Sequence, residues 1–167
     1  MRRYLTIPVL AAVLGATTIC QAGENDWTQA GANAQRTAHV SAQPNPPYKL
    51  AWVASWPGET ITHWTSPVVF DDTCYVGTEN GVVHAIDLGT GKDSWARHLG
   101  TSIVNSLACD RRFIYAACVD GTIRALHRDS GKIAWKTPLS RRGFMAAPLL
   151  MEGALYIGGR DGIFYSL

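Results

Sequence analysis

Five histidines, His39, His63, His84, His98 and His127, are the side chains of this sequence best suited to bind a metal or to move a proton. Histidine-built metal sites need short repeated spacings such as H-x-H or H-E-x-x-H, and none occurs. His84 and His127 fall within strand-like stretches, so they read as packing or solvated residues. Four cysteines, Cys20, Cys74, Cys109 and Cys118, show no C-x-x-C or other ligand spacing. Cys109 and Cys118 lie on two arms of one hairpin but not opposite each other about the Arg111-Arg112 turn. Cys74, Cys109 and Cys118 therefore read as small buried apolar residues rather than as disulfide partners. Neither a G-x-S-x-G nucleophile nor a carboxylate pair at catalytic spacing is present. Gly158-Gly159-Arg160-Asp161-Gly162 reads as a hairpin turn, not a phosphate cradle. The loop Arg141-Arg142-Gly143-Phe144, cationic and flanked by an aromatic, is the stretch that invites an acidic partner or an anion; its plainer reading is a solvated loop. No catalytic and no metal-binding residues are assigned.

Charge narrows the function classes. The formal net charge of +2 includes Arg2 and Arg3, which lie in a positive start followed by the mostly apolar run 5–19 and by Cys20-Gln21-Ala22. These are the three parts of a secretory signal cut before Gly23. Pro8 and Gly15 interrupt the run, which is too short for a good membrane span. Without the leader, 13 basic residues face 13 acidic ones, so no basic field for nucleic acid remains. The alternative fate of the leader is acylation of Cys20 as a membrane tether. Thr17-Thr18-Ile19 in front of it lack the small residue such sites want, so the reading is cleavage, export and a periplasmic location.

The positioning elements come from an internal repeat. Ala85-Ile86-Asp87-Leu88-Gly89-Thr90-Gly91-Lys92-Asp93-Ser94-Trp95 returns forty residues later as Ala125-Leu126-His127-Arg128-Asp129-Ser130-Gly131-Lys132-Ile133-Ala134-Trp135. Tyr75 and Tyr115, and Gly81 and Gly121, share that offset, while Tyr156 and Gly162 follow at 41. A period near 40 with strand-like flanks is the mark of a propeller blade, one four-stranded sheet per repeat. Asn80-Gly81, Asp120-Gly121 and Asp161-Gly162 mark the hairpin turns, the first read as a type I′ turn with φ > 0 at both central positions. Asp71, Asp72, Asp120 and Asp161 are thereby explained as turn residues.

The expected fold is all-β: a partial β-propeller of four-stranded antiparallel blades, two full and a third incomplete. The divisions are a signal peptide at 1–22, an irregular lead-in at 23–47, an orphan closing strand at 48–56, blade 1 at 57–102, blade 2 at 103–143 and the incomplete blade at 144–167. Lys49-Leu50-Ala51-Trp52 resembles Lys132-Ile133-Ala134-Trp135, so 48–56 is expected to be a fourth strand whose blade lies elsewhere in a closed ring. Because a propeller needs about four or more blades, the chain is expected to be the N-terminal piece of a longer protein. A ring assembled from identical pieces and a degraded gene product are the alternatives.

The pattern Ala-x-Asp-x-x-Thr-Gly-Lys-x-x-Trp, complete at Ala85, Asp87, Thr90, Gly91, Lys92 and Trp95, resembles the tryptophan-docking motif of pyrroloquinoline quinone (PQQ)-type propeller repeats. The second copy keeps Ala125, Ser130, Gly131, Lys132 and Trp135, with His127 for Asp and Ser130 for Thr. The stretch Asp26-Trp27-Thr28-Gln29-Ala30-Gly31-Ala32-Asn33 with Arg36-Thr37 is similar to the mature start of many such proteins. The resemblance implies that Trp95 and Trp135 dock their indoles against the neighbouring blade. It implies two functional groups. Quinoprotein alcohol or sugar dehydrogenases hold PQQ and calcium on the propeller axis, with adjacent linked cysteines and an Asp base. The others, such as the periplasmic assembly factor of the outer-membrane β-barrel insertion machinery, are protein-docking scaffolds. No adjacent Cys pair and no calcium constellation is evident here, so no cofactor is assigned, and PQQ and calcium are left to a full-length parent. The expected function is a non-catalytic scaffold that meets protein partners through the propeller loops. The alternative is the N-terminal part of a dehydrogenase.

Overall fold

The computed structural model describes residues 26–39 and 46–167; the leader expected at 1–22, with Cys20, lies outside the described residues. Short runs of alternating apolar residues, closed by Gly and Asp turns, form eleven strands and no helix among the described residues. Blade 1 contains β1 (Val68–Phe70), β2 (Thr73–Gly77), β3 (Val82–Asp87) and β4 (Asp93–His98). Blade 2 contains β5 (Ala108–Cys109), β6 (Phe113–Ala117), β7 (Thr122–His127) and β8 (Ile133–Pro138). A third sheet has β9 (Leu149–Met151), β10 (Ala154–Gly158) and β11 (Phe164–Ser166). Each is an antiparallel meander in chain order, giving two four-stranded blades and a three-stranded one of a partial propeller.

Blades 1 and 2 bury residues on both faces, and the third sheet buries Leu155 and Ile157 on the face toward blade 2. One row of residues crosses blade 1 in register, Val68 opposite Tyr75, Tyr75 opposite Ala85 and Ala85 opposite Trp95. Blade 2 repeats it with Ala108, Tyr115, Ala125 and Trp135. A fully buried alanine between two rings lets Tyr75 and Trp95 approach to 6.0 Å, and Tyr115 and Trp135 likewise. After each alanine the register slips by one residue, so that Ile86 faces Asp93 and Leu126 faces Ile133. Such a bulge sharpens the local twist and re-aims the neighbouring side chain, here the tryptophan. Val68, Tyr75 and Val83 pack against Ile114, Ala116, Cys118 and Leu126 of blade 2. Ala117 and Ile123 of blade 2 pack against Phe144, Leu155 and Ile157 of the third sheet.

The Asn80-Gly81 turn differs from the expected type. Gly81 N donates to Thr78 O at 2.9 Å and Thr78 N to Val82 O at 2.9 Å, with positive φ at Gly81 but not at Asn80. This is a type I turn followed by a left-handed glycine bulge, a three-residue hairpin loop rather than type I′. The other two turns repeat the pair: Gly121 N donates to Cys118 O and Cys118 N to Thr122 O, and Gly162 N donates to Gly159 O and Gly159 N to Ile163 O. In the first loop Asn80 serves as a staple instead: its side chain accepts from Thr60 N at 2.8 Å and donates to Gly58 O at 3.2 Å.

The segment 48–56 forms no ladder with any described strand. It keeps the alternation of a strand: Trp52, Ala54 and Trp56 turn inward onto Cys74, Val76 and Ile86 of blade 1, while Ala51, Val53 and Ser55 are exposed. The side-chain period of 2 was legible, and what is lacking is a partner strand.

The lead-in is bound to the inner strands. Trp27 and Val69 exchange backbone hydrogen bonds at 2.8 and 2.6 Å, and Thr28 O accepts from Cys109 N at 2.7 Å. Gln29 Oε1 accepts from Leu150 N at 2.8 Å while its Nε2 donates to Leu150 O at 3.2 Å. Val69, Cys109 and Leu150 are repeat-equivalent, so consecutive residues 27–29 cap the unpaired inner edge of three sheets in turn.

Candidate docking surface and the turns behind it

The motif residues build a turn and a socket. Asp87 Oδ1 accepts from the backbone N of Thr90 at 2.8 Å and from its hydroxyl at 2.7 Å, while Gly91 N donates to Asp87 O at 2.8 Å. The Thr90 hydroxyl, with the Thr90 and Gly89 amides, holds the Asp87 carboxyl below its ordinary value. His127 keeps only the backbone part of this ring, through Gly131 N to His127 O at 2.8 Å, and its imidazole packs against Phe113. Lys92 and Lys132 are exposed. Trp95 Nε1 donates to Arg128 O at 3.0 Å and its ring lies on Gly131; Arg97 Nε donates to Gly131 O at 3.0 Å beside it. Trp52 repeats the contact one blade earlier, with Nε1 to Leu88 O at 2.8 Å and its ring on Gly91. Sequence comparison paired Trp52 with Trp135 as strand residues; the structure gives it the same socket as Trp95. Trp135 packs on Tyr115 and lines an open cleft of about 360 Å³ with Leu150, Leu155 and Leu167.

The third strands hold a set of polar residues that the sequence reading missed. His84, Arg124 and Tyr165 occupy equivalent positions at offsets of 40 and 41. Arg124 is buried, with Nη2 2.6 Å from Asp120 Oδ2, Nε donating to Thr122 Oγ1 at 3.1 Å and Nη1 donating to Leu99 O. The Tyr165 hydroxyl donates to Asp161 Oδ2 at 2.7 Å and contacts Leu139 O at 3.2 Å. Leu99 and Leu139 are themselves equivalent, so the third strand of each sheet reaches back to the segment leaving the preceding blade. Asp120 and Asp161 thus do more than turn the chain. Burial would raise Asp120, but the Thr122 hydroxyl and amide and the Arg124 guanidinium outweigh it and hold the carboxyl low. In blade 1 the buried His84 contacts Asp93 Oδ2 through Nδ1 at 2.9 Å and Glu59 Oε2 through Nε2 at 3.1 Å, and stacks on Trp56 at 3.9 Å. The available signal was a polar residue recurring at a third-strand interior position.

The loops that connect blades form an exposed apolar surface. Trp64, Val104 and Met145 are repeat-equivalent residues just ahead of the innermost strands. Trp64 is 62% exposed and Met145 49%, and with Ile61 and Val104 they line a cleft of about 550 Å³ bordered by His63 and Glu79. Thr62 Oγ1 donates to Val104 O and Asn105 Nδ2 to Met145 O, both at 2.8 Å, which fixes the loops side by side. The Arg141–Phe144 loop shares this end, and here the sequence reading is corrected in part. Arg141 and Arg142 are exposed, but Phe144 is fully buried between blade 2 and the third sheet, where its ring meets Tyr165 edge-on at 5.8 Å. Its aromatic ring is core, not a ligand platform.

Among the described residues no group of three or more His, Cys, Asp or Glu side chains could hold a metal ion. Cys74 on β2, Cys109 on β5 and Cys118 just after β6 are buried free thiols, and burial pushes Cys74 and Cys118 up to about 11.

A family model described as "Outer membrane protein assembly factor BamB" matches residues 21–165. The BamB of Salmonella typhimurium is 31% identical over 101 residues, covering 60% of this chain and 25% of the relative. That of Escherichia coli K12 is 30% identical over 101 residues with the same coverage. The chain spans about a quarter of the length of the curated relatives it matches. The crystal structure of BamB from Moraxella catarrhalis is similar with a TM-score of 0.52 and 27% identity, over 66% of this chain and 32% of that one. Quinohemoprotein alcohol dehydrogenase from Comamonas testosteroni shares the fold, with a TM-score of 0.66 and 24% identity over 80% of this chain and 23% of that one. With the docking turns, the stacked antiparallel sheets and a match over nearly its whole length, the chain belongs to the outer membrane protein assembly factor BamB family of PQQ-like propeller repeats.

Proposed function

We propose that the chain forms the first blades of an exported propeller in the cell envelope, a non-catalytic scaffold that docks proteins of outer-membrane protein assembly. The leader composition supports export and a periplasmic location, and the relatives' name supports the process. The observation that carries the reading is the apolar cleft in which Ile61, Trp64 and Met145 are exposed and Val104 is half-buried, with Trp64, Val104 and Met145 recurring from blade to blade. Solvated loops have no need of such residues, and aromatic anchors of this kind dominate protein interfaces.

The test uses the full-length protein carrying Trp64→Ser, Met145→Ser or both, titrated against the purified components of the outer-membrane assembly machinery. Truncating a buried interface anchor costs about 2 kcal/mol or more, so affinity should fall at least about tenfold for Trp64→Ser. Unchanged affinity in the double variant would refute the docking surface. Turnover in dye-linked alcohol or sugar oxidation after reconstitution with PQQ and calcium would refute the non-catalytic reading.

A further inference from the structure

Two turns of blade 2, at the end away from the connecting loops, carry Arg111, Arg112, His127 and Arg128. The equivalent positions of blade 1 hold Asp71, Asp72, Asp87 and Leu88, so the same scaffold has had its charge reversed. Turn geometry does not require the arginines. The Asp110 carboxylate shapes the first turn, Oδ1 accepting from the backbone N of Arg112 and of Phe113 at 2.7 Å each. Arg128 also joins the two blades: its Nη2 lies 2.8 Å from Asp71 Oδ2, with its guanidinium 4.1 Å over the Phe70 ring. Arg128 Nη1 is buried and, among the described residues, has no hydrogen-bond partner. Arg112 stands 5.1 Å over the Phe113 ring. A backbone bond from Arg128 N to Arg112 O at 3.0 Å draws the two turns together. Arg111, Arg112, His127, Arg128 and Asp129 then line one cleft of about 260 Å³.

We infer that this cleft binds a phosphate group. Stacking on Phe113 and Phe70 holds two guanidinium groups in place, so little side-chain freedom is lost when an oxyanion arrives. Planar donor forks match phosphate oxygens, and with Arg128 paired to Asp71 the lining still sets three arginines against the exposed Asp129 and that one carboxylate. The cleft has room for a phosphate and its ester oxygen. A lipid headgroup and a soluble phosphate present the same chemistry. The inference is independent of the scaffold reading, since its residues lie at the opposite end of the blade from Trp64.

Two probes separate the sources: inorganic pyrophosphate by titration calorimetry, and co-sedimentation with vesicles of phosphatidylglycerol against phosphatidylcholine. The proteins are the wild-type full chain, Arg111→Gln/Arg112→Gln, and the charge-matched control Arg141→Gln/Arg142→Gln at the other end. The first variant keeps the Arg128–Asp71 pair, so the fold is retained and thermal melting checks it. Binding of pyrophosphate, of phosphatidylglycerol vesicles or of both, weakened at least about tenfold in the first variant and unchanged in the control, supports the site; which probe binds names the source. Binding of neither probe, or equal weakening in both variants, overturns it.

Discussion

The Trp95 indole and Gly131 touch across the boundary between two blades so closely that a methyl group built on Gly131 would come within 2.5 Å of Cε3. Gly91 stands in the same relation to Trp52, where a methyl group built on it would come within 2.5 Å of Cγ. The glycine of the Thr/Ser-Gly-Lys turn is thus needed less to reverse the chain than to leave the indole a place to lie.

Gly131→Ala should destabilise the chain by about 2–3 kcal/mol, from overpacking against a ring and from a φ of 64° that a side chain tolerates poorly. Trp95→Ala should cost about 3–5 kcal/mol. Once the indole is gone the new methyl meets no ring, so the double variant should cost less than the sum by about 1 kcal/mol or more. Urea denaturation of the four proteins checks this. Strict additivity would mean that the two residues do not interact.

Arg124 and Asp120 should respond unequally. Asp120→Asn leaves the buried guanidinium short of its counter-charge and should cost about 1–3 kcal/mol. Arg124→Met removes the buried charge itself and leaves Asp120 at the surface near Lys136 Nζ at 3.7 Å, so it should cost less. Thermal melts of the two variants decide the order.

Acid should weaken the fold in a defined window. Asp87 and Asp161 are held low by hydrogen bonds from the Thr90 and Tyr165 hydroxyls, and Asp120 by its Thr122 and Arg124 partners against the opposing effect of burial. A carboxyl whose folded value lies below the unfolded one adds stability that is complete above the ordinary 3.8 and is lost as pH falls through the lower folded value. Urea midpoints should hold steady from pH 7 to about 5 and drop below about 4. Asp120→Asn should flatten part of that drop.

Much of this architecture was legible in the sequence because the repeat has a physical cause. Each blade must place a turn, a small residue and an indole at the same distances, so Ala85, Gly91 and Trp95 recur at fixed spacing as Ala125, Gly131 and Trp135. Other features leave no such trace. The type I turn with its glycine bulge at Asn80-Gly81 uses the same residues as a type I′ turn. Phe144 looked like a loop aromatic because a single position cannot show that the next sheet covers it. The backbone bonds of Trp27 and Thr28 to two inner strands carry no side-chain signature, and the Gln29 side-chain amide meets Leu150 from 121 positions away, with no local pattern to mark it. The third-strand partners His84, Arg124 and Tyr165 differ in type, so only their shared position marks them.

The cysteines offer a check on sheet packing. Cys74, Cys109 and Cys118 are buried, and burial raises all three thiols, Cys74 and Cys118 to about 11. At pH 8 these three should react with a thiol reagent at least about a hundredfold more slowly in the folded chain than in guanidinium, as expected for neutral thiols shut from solvent.

The most direct measurement of the docking account is site-specific photo-crosslinking of the full-length protein in the cell envelope, with the photoreactive residue at position 64, 104 or 145 and, for comparison, at the exposed Lys132. Crosslinks from the first three positions to a protein of outer-membrane assembly, and none from position 132, are the expected result. Silence at 64, 104 and 145 under conditions where the protein supports assembly would contradict it.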